Sequence, residues 1–300
     1  MYSGLLLIDK PSGPSSFEVV RRVKKALKAR KAGHGGTLDP FATGLLLLCI
    51  GEATKLVPFL MPEPKTYRAV VKLGEETDTQ DPTGEVTARS DRLPEPEQIY
   101  EAAVRFVGEI EQIPPMYSAL RHHGERLYKI ARRGETVEVK PRQVTIYALT
   151  VQEMALPLVT LEVTCSQGTY IRTLAADLGR ALSCGGHLAA LRRLAVGPFK
   201  VEEALALENM RELTREELTS RIIPLAECLP GFRALSVGPE EAEFLRQGRT
   251  LPWPGNNLTP GEKVRVLAEG ELLAVAEVRG ESDKLMIAPV RVFGTVSRKQ

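Results

Sequence analysis

Apolar positions change their period several times along the chain, and each change predicts an element. Leu5, Leu6, Leu7 and Ile8 run uninterrupted until Asp9-Lys10-Pro11 ends them, so Gly4 to Asp9 reads as a short strand. After a Pro-Ser-Gly-Pro turn the period becomes helical, with Val20, Val23 and Leu27 on one stripe. Ser15-x-x-Glu18 opens this helix as a capping box, in which each side chain satisfies a free backbone donor of the first turn. Leu45 to Ile50 reads as a buried strand, and Tyr67 to Leu73 alternates as another, ending in a polar loop from Glu75 to Gly84. A short helix over Pro94 to Phe106 and strands over Gln143 to Gln152 and Leu158 to Ser166 follow. Ile171, Leu174, Ala175, Leu178 and Leu182 stripe a helix beginning near Thr169, and His187 to Val196 reads as a strand carrying Arg192 and Arg193.

An acidic helical stretch closes this large unit near Cys228. From Leu235 the pattern changes to a small helix and three short strands, Lys263 to Leu267, Glu271 to Val278 and Leu285 to Val292. Two domains are therefore expected, residues 1–230 and 231–300, which is also the natural division of 300 residues that are 43% hydrophobic. Composition does not choose between topologies; the α+β architecture expected here, a mixed sheet with helices packed on it and a small β-domain after it, leans on the resemblance carried by the motifs given below.

Several classes fall away. No run approaches the roughly 20 apolar residues that span a bilayer, and the N-terminal strand is too short for a signal peptide, so a cytosolic protein is expected. Cys49, Cys165, Cys184 and Cys228 form no CxxC and are expected to be reduced thiols. His34, His122, His123 and His187 form no HxxxH pair, so no zinc site is expected. Without a Walker loop or a dinucleotide fingerprint, no cofactor is expected either.

A net charge of +2 hides an uneven distribution. Arg21, Arg22, Lys24, Lys25, Lys28, Arg30 and Lys31 follow one another with no acid between them. Arg121 to Arg142 is basic and irregular, with Arg126, Lys129, Arg132, Arg133 and Lys140. Such runs serve either as solvated faces or as phosphate contacts. The first lies beside the most glycine-rich loop of the chain, Gly33-His34-Gly35-Gly36-Thr37-Leu38-Asp39-Pro40. There Asp39 is held in irregular backbone, which suits an Asx-turn as well as chemistry. Arg172, in a first helical turn, opposes the helix macrodipole by roughly 0.3–1 kcal/mol. If it is buried it needs an anion, a carboxylate or an RNA phosphate. Tyr170 and Tyr67 stand beside polar segments and are candidates for packing or for a binding surface. These residues support a surface without specifying a reaction.

Asp9-Lys10-Pro11-x-Gly13 and Gly33-His34-x-Gly36-Thr37-Leu38-Asp39-Pro40-x-Ala42-Thr43-Gly44-Leu45-Leu46 resemble the TruB family of tRNA pseudouridine synthases. Lys65-x-Tyr67, Pro114-Pro115-x-Tyr117-Ser118-Ala119, Gly168-Thr169-Tyr170-Ile171-Arg172 and Leu191-Arg192-Arg193-Leu194 continue the likeness in the family's order, over roughly residues 4–200. The resemblance implies a pseudouridine-synthase catalytic domain, an RNA-binding insertion at about 112–142 that closes over the RNA, and a C-terminal PUA-like β-barrel. It implies that Asp39 is the nucleophile, that Tyr67 stacks on a flipped uracil, and that Arg172 pairs with Asp39. Tyr170 and Leu191 then wall the pocket, His34 contacts the RNA loop, and Lys10, Arg192 and Arg193 join the RNA-binding set. The implied substrate is the T-loop uridine of tRNA at position 55, bound through its T stem-loop by a monomer with no obligate protein partner and no cofactor. Gly35, Ser15 and Arg121 depart from the commoner Thr, Thr and Lys of the family. A guide-RNA-dependent catalytic subunit and a tRNA folding chaperone are the alternatives.

Overall fold

The apolar N-terminal run becomes strand β1 (Gly4–Lys10), which pairs antiparallel along its length with β3 (Thr43–Ile50). Both strands are buried on both faces, which is why their sequences do not alternate. Leu6, Ile8, Leu46, Leu48 and Ile50 pack on one side against Val19, Val20, Val23 and Leu27 of helix α1 (Ser16–Leu27). On the other side Leu5, Leu7, Leu45, Leu47 and Cys49 meet Phe59, Leu60 and Phe199. The capping box of Ser15 and Glu18 forms as expected, and Lys28 ends α1 in the left-handed conformation. The computed structural model describes residues 2–61, 64–118, 120–253, 258–280 and 284–294; Ala119 of the Pro114–Ala119 block lies outside the described residues.

Strand β2 (Ala32–His34) pairs with β3, and the short helix α2 (Val57–Leu60) precedes β4 (Lys65–Leu73). The expected polar loop holds a small hairpin of β5 (Glu75–Thr77) and β6 (Val86–Arg89). Helix α3 (Pro96–Val104) leads to β7 (Gly108–Gln112). The segment expected to be irregular is a hairpin, β8 (Arg121–His122) and β9 (Glu125–Arg126), followed by helix α4 (Leu127–Ala131). Buried Leu127 and Ile130 anchor it, a signal too short to stand out in a basic sequence. Strands β10 (Arg142–Ala155) and β11 (Leu158–Cys165), helix α5 (Ile171–Ala181) and strand β12 (Gly186–Val196) complete the central elements.

Among the described residues eleven strands form one mixed sheet, whose central order is β1, β3, β12, β4, β11, β10, β7. β12 runs parallel to β3 and antiparallel to β4, so it joins the two-sided half of the sheet to a half apolar on one face. That face carries Tyr67, Ala69, Val71, Leu161 and Val163 under Ile171, Leu174, Ala175 and Leu178 of α5. Gly44 is required at the junction: its φ is +99° and an added Cβ would lie 2.3 Å from the Arg193 carbonyl oxygen.

The expected acidic helical stretch is a correction. It consists of strands β13 (Phe199–Lys200), β14 (Leu205–Ala206) and β15 (Ile223–Pro224), short 3-10 turns, and the six-residue helix α6 (Arg215–Ser220). Its acids face solvent, while Leu205, Leu207, Met210 and Leu218 reach the α1 core one at a time, with no helical period.

Strand β16 (Arg233–Ser236), helix α7 (Pro239–Arg246), and strands β17 (Leu251–Trp253), β18 (Lys263–Ala268), β19 (Glu271–Arg279) and β20 (Leu285–Val292) form a curled five-stranded sheet of PUA-like half-barrel type. Its own core includes Val264, Val266, Ala274, Ala276 and Ile287. Leu272, Val275 and Phe293 instead enter the core of β1 and β3. Arg265 Nη1 donates to Ala226 O and Lys55 Nζ to Val292 O (3.2 Å) across the same boundary. Shared packing thus fixes the small sheet against the large one.

Candidate active site

Asp39 lies between β2 and β3, in a loop fastened from several sides. Ser16 Oγ, in the first turn of α1, donates to Leu38 O (3.0 Å) and accepts from Leu38 N (2.9 Å). Gly13 N donates to Pro40 O (2.8 Å), and Gly35 N to Leu47 O (2.9 Å). Lys10 is fully buried, and its ammonium donates to Pro11 O (2.8 Å) and Pro40 O (3.0 Å). Burial brings its pKa down to about 8, against the opposing pull of Asp39.

The Arg172 guanidinium is buried at the start of α5 and makes four contacts. Nε lies 3.2 Å from Asp39 Oδ2, and Nη1 lies 3.0 Å from Asp81 Oδ2. Nη1 also donates to Thr79 O (3.4 Å) and Nη2 to Tyr117 O (2.8 Å). Of the two anions open to a buried Arg172, a carboxylate or an RNA phosphate, the carboxylate is present twice. Asp81 is buried, and its Oδ1 accepts from Thr79 Oγ1 (2.7 Å) and Thr83 N (2.9 Å). The Asp39 side chain remains 36% exposed, so one carboxylate is fixed inside and the other opens on the cleft. Burial raises the Asp39 pKa, Arg172 lowers it, Asp81 raises it and Lys10 lowers it. The sum lies above the ordinary value.

Tyr67 is buried on β4, with its Cα opposite that of Arg193 on β12. Burial pushes its hydroxyl pKa up while the Arg193 charge pulls it down, so the hydroxyl stays protonated near neutrality. Leu38, Ala42, Tyr67, Ile171 and Leu191 share one apolar cluster that lines the approach to Asp39. Tyr170 is half-buried and braced by Gln112, whose Oε1 accepts from Tyr170 N (3.0 Å) and whose Nε2 donates to Tyr170 O (3.3 Å). His34 Nδ1 is buried without a partner, and burial with the nearby Arg193 charge lowers its pKa. A groove of about 470 Å³ continues from Leu191 past Phe41, Arg68 and Pro82. It is roomy enough for a small-molecule-sized group.

Sequence reasoning thus brings together Asp39, Tyr67, Arg172, Tyr170 and Leu191. It misplaces two cations, Lys10 and Arg193, which are buried. Lys10 is enclosed and bonded to backbone. Arg193 is 1% exposed, and it donates from Nε to Leu45 O (2.7 Å), from Nη1 to Thr37 O (3.4 Å) and from Nη2 to Gly36 O (3.2 Å). Arg192 reaches the surface, but both its terminal nitrogens engage Asp9, at 3.0 and 2.6 Å. Adjacent residues on a strand face opposite ways, and a basic pair in sequence does not show which one turns inward. Asp81 and Gln112 were missed. The available signal for Asp81 was the dense Asp78-Thr79-Gln80-Asp81-Pro82-Thr83-Gly84 turn directly after the Tyr67 strand. Among the described residues no group of His, Cys, Asp and Glu is arranged to hold a metal ion.

Two adjoining family models match residues 24–230: "TruB family pseudouridylate synthase (N terminal domain)" over residues 24–171 and "tRNA pseudouridylate synthase B C-terminal domain" over residues 172–230. A protein named tRNA pseudouridine synthase B from Geobacter sulfurreducens is 42% identical, over 97% of this chain and 99% of its own. One of the same name from Ralstonia nicotianae is 47% identical, over 92% and 91%. Among solved structures, a chain of a Cbf5-Nop10-Gar1 complex superposes with a TM-score of 0.76 at 28% identity, over 97% of this chain and 85% of that one. A chain of an H/ACA RNP bound to a substrate RNA containing 2'-deoxyuridine superposes with a TM-score of 0.74 at 26% identity, over 97% and 85%.

Proposed function

The chain belongs to the TruB family of pseudouridylate synthases, and on that premise we propose that it isomerises the T-loop uridine of tRNA, position 55, to pseudouridine with Asp39 as nucleophile. The observation that carries the reading is the 3.2 Å contact between Arg172 and a carboxylate that is still open to the cleft. In this reaction the C1′–N1 bond breaks, a C1′–C5 bond forms, C5 loses a proton and N1 gains one. Reactant and product have the same atoms, so no group or electron has to be supplied. A carboxylate nucleophile divides the exchange into easier steps, provided that it is ionised. Burial works against ionisation at Asp39, and Arg172 and Lys10 work for it.

A base stacked in a loop cannot reach Asp39, so it has to be turned out, at a cost of a few kcal/mol. Stacking on an aromatic ring returns roughly 1–3 kcal/mol, and Tyr67 in the apolar cluster beside Asp39 is suited to provide it. Leu191 and Tyr170 close the sides, and His34 faces the RNA next to the vacated stack. Affinity comes from phosphate contacts. The exposed face of α1 and the 112–142 insertion, with Arg121, Arg126 and Lys129 at the surface, supply the charge.

The catalytic unit is residues 1–230 and the RNA-binding PUA-like unit residues 231–300, a division supported by the separate core of the second sheet. Asp39, Asp81 and Arg172 come from one chain, so the site needs no second subunit to complete it; the proposed enzyme is a monomer that acts on cytoplasmic tRNA. The likeness to a chain of a Cbf5-Nop10-Gar1 complex raises the guide-RNA-dependent alternative. One experiment separates the two: pseudouridine is expected in an unmodified tRNA transcript incubated with this protein alone. A strict need for a further protein or RNA would favour the alternative.

A further inference from the structure

We infer that Arg193 is a positioning residue of the isomerisation: its buried guanidinium ties the Asp39 loop to the Tyr67 strand, so that nucleophile and stacking ring meet the base in one fixed geometry. The inference rests on the proposed roles of Asp39 and Tyr67. Arg193 is 1% exposed, yet no ion pair among the described residues engages it. Burying a charge without a counter-charge is unfavourable, and an apolar side chain would fill the same volume at less cost if packing were the only requirement. What the guanidinium does instead is visible in its three donors. They diverge to carbonyls on both sides of Asp39: Gly36 and Thr37 before it, Leu45 after it.

The same residue is Tyr67's cross-strand partner, its Cα directly opposite in the β12–β4 register. The charge of Arg193 also counters the effect of burial at the Tyr67 hydroxyl. Two glycines make the approach possible. Gly44 brings its backbone against that of Arg193, where a Cβ would collide with the Arg193 carbonyl. Gly36, at φ +125°, leaves its carbonyl within reach of Nη2. Lysine retains the charge but has a single nitrogen, which cannot reach three diverging carbonyls as a planar fork does.

The test compares wild type, Arg193→Lys, Tyr67→Phe and the double variant on unmodified tRNA, measuring single-turnover rate at saturating protein, RNA affinity and melting temperature. Arg193→Lys is expected to slow the reaction roughly a hundredfold, the scale of an ångström of misplacement, while RNA affinity changes by less than about threefold. The loss in the double variant is expected to be smaller than the product of the two single losses, because the Arg193 guanidinium also hydrogen-bonds the Tyr67 hydroxyl that Phe removes. A near-normal rate in Arg193→Lys overturns the inference, as do independent, multiplying losses. Failure of Arg193→Lys to fold, or parallel losses of rate, affinity and melting temperature, also overturns it by making the residue a strut of the fold. If the wild type itself forms no pseudouridine, the proposed function fails instead.

Discussion

Around Asp39 three cations, Lys10, Arg172 and Arg193, are buried, with their donors spent on carbonyls and carboxylates. Along α1 and the turn after it, Arg21, Arg22, Lys24, Lys25, Lys28, Arg30 and Lys31 are exposed, and none enters an ion pair among the described residues. The only acid on that helix, Glu18, is occupied by the capping box. The first set sits in a medium of low dielectric, where each charge strongly affects its neighbours and salt screens little. The second sits in water, where a charge is screened within about 10 Å at 0.1 M salt and is useful chiefly for displacing counterions from an RNA backbone. Buried cations should therefore govern rate, and exposed ones affinity.

The sharpest way to break this comparison is to remove the anion that the buried cations serve. Asp39→Asn is expected to lower pseudouridine formation by on the order of 10³-fold or more while tRNA binding persists, as read by product assay and filter binding. Residual product near wild-type levels would remove Asp39 from the chemistry. Arg172→Lys comes next, with an expected loss of about 10²-fold in single-turnover rate and much less in affinity. Equal losses would place Arg172 in binding.

The pH profile sharpens the same point. As the proposed nucleophile Asp39 has to be ionised, and its pKa already lies above the ordinary value because of burial, with Arg172 holding it down. In Arg172→Met that pKa rises further, so the acid limb of the rate profile should move to higher pH. An unmoved limb would separate Arg172 from the ionisation of Asp39.

On the exposed side, Arg21→Gln, Lys25→Gln and Lys28→Gln together should weaken tRNA binding about tenfold and reduce the salt slope by about 2–3, at 0.9 per duplex phosphate lost. The effect on affinity should exceed that on saturating rate. An unchanged slope would make the face a solvated one. The smallest effect belongs to Ser15→Ala, which removes the α1 cap and should cost about 1 kcal/mol of stability in urea denaturation.

Much of this was legible in advance. The Leu5–Ile8 and Leu45–Ile50 runs are buried strands, the Ser15–Glu18 box opens a helix, and the Ile171–Leu178 stripe faces the core. Each is a local pattern whose period carries its own geometry. Asp39 and Arg172 were legible as a pair through ordered motifs, and 132 residues of intervening chain fold them to within 3.2 Å. The irregular stretches were not: the 121–131 hairpin and helix bury only Leu127 and Ile130, and the short strands of 199–224 send isolated side chains into the α1 core, so neither carries a period to read.

By itself, then, the sequence determined which segments could be strand or helix, because hydrophobic period and capping act over a few residues. Its ordered motifs also named the residues proposed to carry the chemistry. Only the tertiary structure decided which charges lie inside. Whether Arg192 or Arg193 turns inward, whether Lys10 sees solvent, and that Asp81 stands behind Arg172 depend on which strand lies beside which. Burial is a property of that pairing, and it converts the same guanidinium from a phosphate contact into a fixed part of the cleft.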